Sequence, residues 1–395
     1  EIAQCLVGSE MCIRDRVLTV TSLIGGIYMN ALNMMIFPMV FCSIVIGICS
    51  IGNAKTTGKI TGYSMIFFLC TTAIASAVGI IIPRLIRLGK GVHFEMATSD
   101  IQATEMTSIL DTIKNLIPSN PVKAFAEGNM LQVLVFAVVV GFTLIAVGEK
   151  GQPLLNVIDS LNEVCLKVIS TVMYFTPIGV FCLMANVVAV NGADIIGKLA
   201  LIIGVAYIGY IVHVVVVYGL SVKFLAKMSP LAFFKGIAPA MITAFTTTSS
   251  NATLPVNIEC CNKMGAEPEV SSFVLPLGAT INMDGTAIYQ AVCAVFIACC
   301  YGVQLTLGDM AMIVLTATLA SVGTAGVSGA GMIMLAMVLT QVGLPVEGIA
   351  IIAGVDKIFD MGRTTLNITG DATCALFISR LEREKAAKKA AKAAK

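Results

Sequence analysis

The sequence predicts an all-α polytopic membrane protein, and three observations carry that prediction. Hydrophobic residues make up 57% of the 395-residue chain and charged residues only 12%, about half the charged share of a typical soluble domain. Mean hydropathy is +0.92, more apolar surface than a soluble globule can hide. Apolar runs long enough to cross a bilayer recur along the chain. The same composition argues against intrinsic disorder, which needs few apolar residues. A net charge of +2, with no strong basic patch outside the C-terminal tail, argues against a nucleic-acid binder. Trp is absent, so an interfacial aromatic belt rests on the 8 Tyr and 18 Phe.

The spans follow in order. Leu23–Ile51 is the first, and Thr61–Ile82 the second after a short loop holding Lys55 and Lys59. Met130–Val147, Leu161–Val190 and Lys198–Phe224 come next. The Lys55/Lys59 loop and the cluster Lys223, Lys227 and Lys235 read as cytoplasmic by their basic charge, and the acidic stretch Gly91–Asp111 as external. Arg84, Arg87 and Lys90 lie on that external side against the rule. The opening run CLVGSEMCIRDR resembles translated adaptor sequence, and residues 1–16 are expected to be non-native. They show neither the apolar core nor the cleavage site of a signal peptide. Residues 386–395 form a Lys-rich tail, expected to be cytoplasmic. Most of the 13 cysteines, such as Cys42, Cys49, Cys70, Cys182 and Cys293, sit inside apolar runs, without a CxxC pair. They read as small hydrophobes. With His93 and His213 as the only histidines, a Zn site has little to work with.

The second half differs in kind. Three polar or Gly-rich stretches interrupt its apolar runs: TAFTTTSSNATLP at Thr243–Pro255, LPLGATINMDGT at Leu275–Thr286, and SVGTAGVSGAG at Ser321–Gly331. Lipid offers backbone N–H and C=O groups no partners, so broken backbone at membrane depth must line a cavity or meet a ligand. Two of the breaks fit re-entrant hairpins, and discontinuous helices of this kind point to a transporter binding site.

A charged helix follows. Asp356, Asp360, Arg363, Asn367 and Asp371 are spaced 4, 3, 4 and 4. At about 100° per residue they fall within roughly 80° of arc. They make one polar stripe about 22 Å long. Asp360 and Arg363 can pair, whereas Asp371 needs a cation from elsewhere, and a bound metal ion would serve. Asn282, Asp284 and unwound carbonyls are hard oxygen ligands that suit alkali cations. A guanidinium at membrane depth suits a carboxylate, gripped in two-pronged fashion. The ingredients point to an anionic solute bound together with cations.

TAFTTTSSNATLP, GATINMDGTAIYQ, GTAGVSGAG and FDMGRTTLNITGD, in this order, resemble the dicarboxylate/amino acid:cation symporter family, the glutamate/aspartate transporters, over about Leu23 to Glu384. The resemblance implies a glutamate-transporter-like fold with eight membrane helices, two re-entrant helical hairpins and a discontinuous helix seven. It also implies a homotrimer working as an elevator. On that pattern Leu23–Ile51 matches the second family helix, so the chain is expected to be a fragment lacking the first. The scaffold and trimerisation domain would be residues 17–56 and 119–192, and the transport domain 57–90 and 193–385. Hairpin one would be 230–264, helix seven Pro268–Tyr301, hairpin two 305–344 and helix eight Glu347–Glu384.

The resemblance also implies roles. Arg363 would hold the substrate's side-chain carboxylate, Asp360 its amino group and Asn367 its α-carboxylate. Ser249, Ser250, Thr286, Val327, Gly331 and Thr364 would complete the pocket. One sodium site would use Gly278, Asn282, Asn367 and Asp371, and a second Thr280, Ser321, Val322 and Thr324. A third would use the Phe68 carbonyl, Thr71, Thr72, Asn282 and Asp284, with Met283 between the sites. Thr248 and Met361 stand where other members carry a second Arg; Asn251 and Ser328 also depart from the common pattern. Lys357 is an added charge that could snorkel, or pair with Asp356 or another acid.

The function implied is Na⁺-coupled symport of L-aspartate, L-glutamate or a C4-dicarboxylate at the plasma membrane (the cell inner membrane in a bacterium). No cofactor is expected. Proton coupling or a neutral or sulfur amino-acid substrate is the alternative, and Arg363 argues against neutral substrates. An intramembrane aspartyl protease is the remote enzyme reading. ITGD at Ile368–Asp371 lacks the first Gly of the GxGD setting that its paired carboxylates require.

Overall fold

A computed structural model describes residues 16–28, 30–31, 34–52, 58–86, 88, 117–127, 130–175, 177–179, 181–182, 185, 189, 194–321 and 330–393. Among these residues every regular element is a helix. Four segments are long and apolar enough to cross a membrane: Ile60–Leu85, Val135–Cys165, Gly197–Phe224 and Pro268–Cys300.

The run expected as one span, Leu23–Ile51, is two helices. α1 covers Arg16–Tyr28 and α2 covers Ile36–Gly52, after a turn at Met34–Met35. Pro38 lies in the first turn of α2, where a missing N–H costs no helical bond. α3 (Gly58–Leu85), the short α4 (Pro121–Ala126) and α5 (Met130–Val147) follow. α6 corrects the expected span Leu161–Val190. It runs from Gln152 to Met173, started by a proline in its first turn. The periodicity missed this start because Asn156, Asp159 and Ser160 make it amphipathic rather than uniformly apolar.

α7 (Asp194–Val212) passes through a π-helical turn, His213–Tyr218, into α8 (Gly219–Phe224). α9 (Pro230–Thr247) and α10 (Ser250–Lys263) pack on one another. Thr248 turns the chain with φ 53° in the left-handed region, and Ser249 caps α10 by accepting from the Ala252 N–H at 3.3 Å. α11 (Pro268–Ile281) and α12 (Asp284–Cys300) flank the break at Asn282–Met283. α13 (Leu307–Ser321) and α14 (Ala330–Gln341) pack together, and the tip expected between them lies outside the described residues.

The last expected helix, Glu347–Glu384, is broken. α15 (Ile349–Ala353) stops at Gly354–Val355, and α16 (Asp356–Ala393) starts afresh, so Asp356 occupies a helix first turn. There a carboxylate faces the positive end of the helix dipole. Toward the other end, Glu384 is held below the ordinary glutamate range by a hydrogen bond from Arg380 at 2.8 Å, with Lys227 also in reach.

Packing sorts the helices. α2 lies against α5 and α6, while α3, α7, α9 to α11, α13 and α14 gather around α12 and α16. Every residue of α12 except Cys299 is buried, so this helix is surrounded by protein rather than lipid. α3 reaches it closely at Gly79, where a Cβ would sit 2.8 Å from both the Ala291 Cβ and the Ile288 carbonyl oxygen. Overpacking of this kind costs about 1–3 kcal/mol. Gly79→Val should therefore lower the unfolding temperature in detergent, whereas Gly204→Ala, with open space at its Cβ, should not. Equal unfolding temperatures for the two variants would contradict the close α3–α12 contact.

Candidate functional site

α16 carries the polar stripe into the core. Asp356, Asp360, Arg363, Asn367 and Asp371 are all buried, between 1% and 6% exposed. The Arg363 guanidinium donates from Nε to Asp360 Oδ1 at 2.8 Å, and from Nη1 and Nη2 to the two oxygens of Asp356 at 3.3 and 3.5 Å. Its flat face lies 4.8 Å from the centroid of the Tyr289 ring, itself packed on Phe359. The expected Asp360–Arg363 pair is present, and Asp356 joins it. Thr364 Oγ1 donates to Asp360 Oδ1 at 3.4 Å. Gly331, at the start of α14, closes over the guanidinium so tightly that a Cβ there would lie 2.5 Å from Arg363 Cζ.

One turn further along, Asn282 in the α11–α12 break donates from Nδ2 to Asp371 Oδ1 at 2.9 Å and to the Asn367 carbonyl at 3.0 Å. Asn367 Oδ1 accepts the Gly285 N–H at 2.8 Å, and its Nδ2 lies 3.1 Å from Met283 Sδ. Gly278 faces Asp371, since a Cβ there would lie 2.7 Å from the carboxyl carbon. Asn282 Oδ1 is buried with no hydrogen-bond partner. Among the described residues no Lys or Arg pairs with Asp371.

The third cluster centres on Asp284, fully buried at the start of α12. Thr72 Oγ1 lies 2.6 Å from Asp284 Oδ1 and 2.7 Å from the Phe68 carbonyl, and Thr71 Oγ1 lies 3.1 Å from that same carbonyl. Tyr218 donates to Asp284 Oδ2 at 2.7 Å, and His213 Nε2 stands 3.1 Å from it. His213 and Tyr218 were not among the expected site residues. The signal available was one histidine and one tyrosine five apart in a wholly apolar run.

Phe68, Thr71, Thr72 and Asp284 thus come together, as do Gly278, Asn282, Asn367, Asp371 and Met283, and Arg363, Asp360, Thr364 and Gly331. Thr286 is buried, 3.8 Å from Met283 Sδ. Ser249 spends its hydroxyl as a helix cap, and Ser250 is buried beside it. Thr280 is exposed and turns its hydroxyl to the Leu277 carbonyl at 2.9 Å. Ser321 ends α13, and Val322, Thr324 and Val327 lie outside the described residues. Lys357 finds a hydroxyl: its Nζ donates to Thr248 Oγ1 at 2.5 Å, tying α16 to the hairpin tip.

Chemically, these clusters offer carboxylate, amide, hydroxyl and carbonyl oxygens, the ligands of hard cations. Among the described residues no group of three His, Cys, Asp or Glu side chains forms a transition-metal site. A helix-broken polar interior inside a multi-pass α-helical shell defines a membrane transporter. The chain belongs to the sodium:dicarboxylate symporter family, whose family model matches residues 2–381. It is similar to the proton/sodium-glutamate symport protein of Geobacillus stearothermophilus, 33% identical over 95% of this chain and 91% of that protein. The proton/glutamate-aspartate symporter of Escherichia coli K12 is 35% identical over 93% of this chain and 86% of its own. The C4-dicarboxylate transport protein of Rhodospirillum rubrum is 34% identical over 91% and 82% respectively. The family and these relatives are transporters, so the protease reading falls away.

The Lys357 contact generates a prediction. Thr248 holds a left-handed conformation that costs a non-glycine residue about 1–3 kcal/mol, so the tip depends on its anchors. Lys357→Met should speed amide hydrogen exchange at residues 247–250 while leaving α11 as slow as before. Unchanged exchange at the tip would show that the anchor is idle.

Proposed function

We propose that the chain is a sodium-coupled symporter of an acidic amino acid, L-aspartate or L-glutamate, with C4-dicarboxylates as the neighbouring substrate class. The observation that carries this reading is Arg363, buried between Asp356 and Asp360 on the face of Tyr289. A substrate carboxylate would take the guanidinium in two-pronged fashion. A substrate ammonium would take the Asp360 carboxylate that Arg363 releases. That second partner favours an amino acid over a plain dicarboxylate. Asn367 would hold the α-carboxylate, with Thr364, Thr286, Ser249, Ser250, Val327 and Gly331 lining the pocket.

Charge supports the coupling ion. Among the described residues, Asp284, Asp356, Asp360 and Asp371 are four buried carboxylates against the one buried guanidinium of Arg363. Adding an anionic solute is prohibitive unless cations enter with it. Two features fit sodium. Asn282 Oδ1 is an unpartnered buried acceptor on the amide whose Nδ2 donates to Asp371. Thr72 Oγ1 has one proton for two acceptors, at 2.6 and 2.7 Å. Phe68, Thr71, Thr72, Asn282 and Asp284 would form one sodium site. Gly278, Asn282, Asn367 and Asp371 would form another beside Met283, and Thr280, Ser321, Val322 and Thr324 a third.

The reading extends to mechanism. Residues 17–56 and 119–192 would be the trimeric scaffold, and 57–90 and 193–385 the transport domain that slides as an elevator. The packing of α2 with α5 and α6 supports that division, as does the gathering of the remaining long helices around α12 and α16. α9–α10 and α13–α14 would be the re-entrant hairpins. The protein would lie in the plasma membrane with its basic tail, residues 386–395, in the cytoplasm.

Uptake of labelled L-aspartate into proteoliposomes tests the reading. A sodium gradient should drive it, and Arg363→Ala should lower it by roughly 100-fold, as expected for about 3 kcal/mol lost at a buried ion pair. Uptake that follows a proton gradient and ignores sodium would overturn the coupling. Uptake unchanged in Arg363→Ala would overturn the substrate assignment.

A further inference from the structure

Asp284 divides its two oxygens between different neighbours. Oδ1 faces the oxygen-rich side, Thr72 Oγ1, which also lies 2.7 Å from the Phe68 carbonyl. Oδ2 faces Tyr218, whose hydroxyl donates to it at 2.7 Å, and His213 Nε2 at 3.1 Å. Both aromatic residues are fully buried. Their rings meet edge to face at 4.9 Å, so each fixes the other's orientation.

The backbone explains how residues five apart reach one oxygen atom. In an α-helix, positions i and i+5 point about 140° apart. His213–Tyr218 is a π-helical turn, whose i→i+5 hydrogen bonding brings those positions onto one face. The segment on either side is α-helical. The local change of helix type is therefore what delivers two donors to Oδ2.

The histidine's role follows from its other nitrogen. His213 Nδ1 is buried with no hydrogen-bond partner. With the proton on Nε2, Nδ1 is a lone pair. In that tautomer Nε2 donates to Asp284 Oδ2.

We infer that His213 and Tyr218 are positioning residues of the Asp284 cation site. Through the π turn they hold Oδ2, leave Oδ1 as the cation-facing oxygen, and so set the affinity for sodium. Both act on the proposed site through Asp284 Oδ2. The inference rests on the sodium-coupled reading and deepens one of its sites. Partners that orient a metal ligand from behind are typically worth roughly 10- to 100-fold in metal affinity.

The test uses the full chain in proteoliposomes, with Na⁺ as the varied species and L-aspartate as the transported one. Tyr218→Phe removes one hydroxyl and little volume. His213→Leu removes the donor, and His213→Gln restores an N–H at similar reach. Tyr218→Phe and His213→Leu should each raise the half-saturating Na⁺ concentration about tenfold. His213→Gln should stay within about threefold of the parent, and the L-aspartate half-saturation at saturating Na⁺ should move less than about twofold in Tyr218→Phe. Direct Na⁺ binding to the detergent-solubilised protein, read by Na⁺-dependent thermal stabilisation, should shift in parallel. Unchanged Na⁺ half-saturation in Tyr218→Phe overturns the inference. So does His213→Gln failing as badly as His213→Leu, or Na⁺ and aspartate constants worsening together with the unfolding temperature, which marks a structural role. If the unmodified protein takes up L-aspartate without regard to Na⁺, the sodium-coupled reading itself fails before any variant is compared.

Discussion

Arg363 is a charge buried deep among apolar helices, and the architecture around it follows from the need to pair it. An unpaired guanidinium at membrane depth costs several kcal/mol or more. Here Asp360 takes Nε, Asp356 takes both terminal nitrogens, and Tyr289 offers its ring face. Asp356 can do so because α16 begins with it, after the break at Gly354–Val355. Close approach from two other helices needs glycine. At Gly285 a Cβ would meet the Arg363 backbone at 2.5 to 2.9 Å, and at Gly331 it would meet the guanidinium. The ion triad, the restart of α16 and the two glycines are one arrangement.

The break between α11 and α12 obeys the same rule for backbone groups. Helix ends leave N–H and C=O groups that lipid cannot satisfy. The Asn282 N–H goes back to the Gly278 carbonyl at 2.8 Å, and the Gly285 N–H goes to Asn367 Oδ1. Asn367 therefore serves the start of α12 with the side chain that the proposed function places against substrate and sodium. On that proposed reading, a ligand that drew on Asn367 would also bear on how α12 begins.

The legibility of the sequence tracks where polar residues are sparse enough to be informative. The helix pair Pro230–Thr247 and Ser250–Lys263 lies where the family resemblance placed residues 230–264, and that resemblance rested on the TAFTTTSSNATLP run. The α16 stripe was readable because five polar residues kept helical period in an apolar setting. In the first half the apolar run Leu23–Ile51 carries no such marks, so its split stayed hidden, while the start of α6 stayed hidden because its polar residues break the apolar run. The roles of His213 and Tyr218 stayed hidden for a different reason. The π turn changes the angular period locally, and a reading at 100° per residue puts them on different faces. Lys357 was visible as an odd charge, but its hydroxyl partner is 109 residues away in the chain.

The clusters along α16 and α12 share one logic, which is that protein donors meet each carboxylate from one side. Asn282 holds Asp371 through Oδ1. Tyr218 and His213 hold Asp284 through Oδ2, and Arg363 lies between Asp356 and Asp360. Neutral donors satisfy an anion's hydrogen bonding but leave its charge in place, so Asp371 and Asp284 remain attractive to a cation in a way that a full ion pair would not. Asp356 and Asp360, which do share a cation, are the ones that can lend Arg363 to an incoming carboxylate. On the proposed reading the chain separates two tasks by the kind of partner it gives each acid: hydrogen-bond donors would prepare a site for metal ions, and a shared guanidinium would prepare a site for an anion. In the sodium-coupled reading, cations settling at Asp371 and Asp284 offset the charge that would otherwise oppose the solute at Arg363.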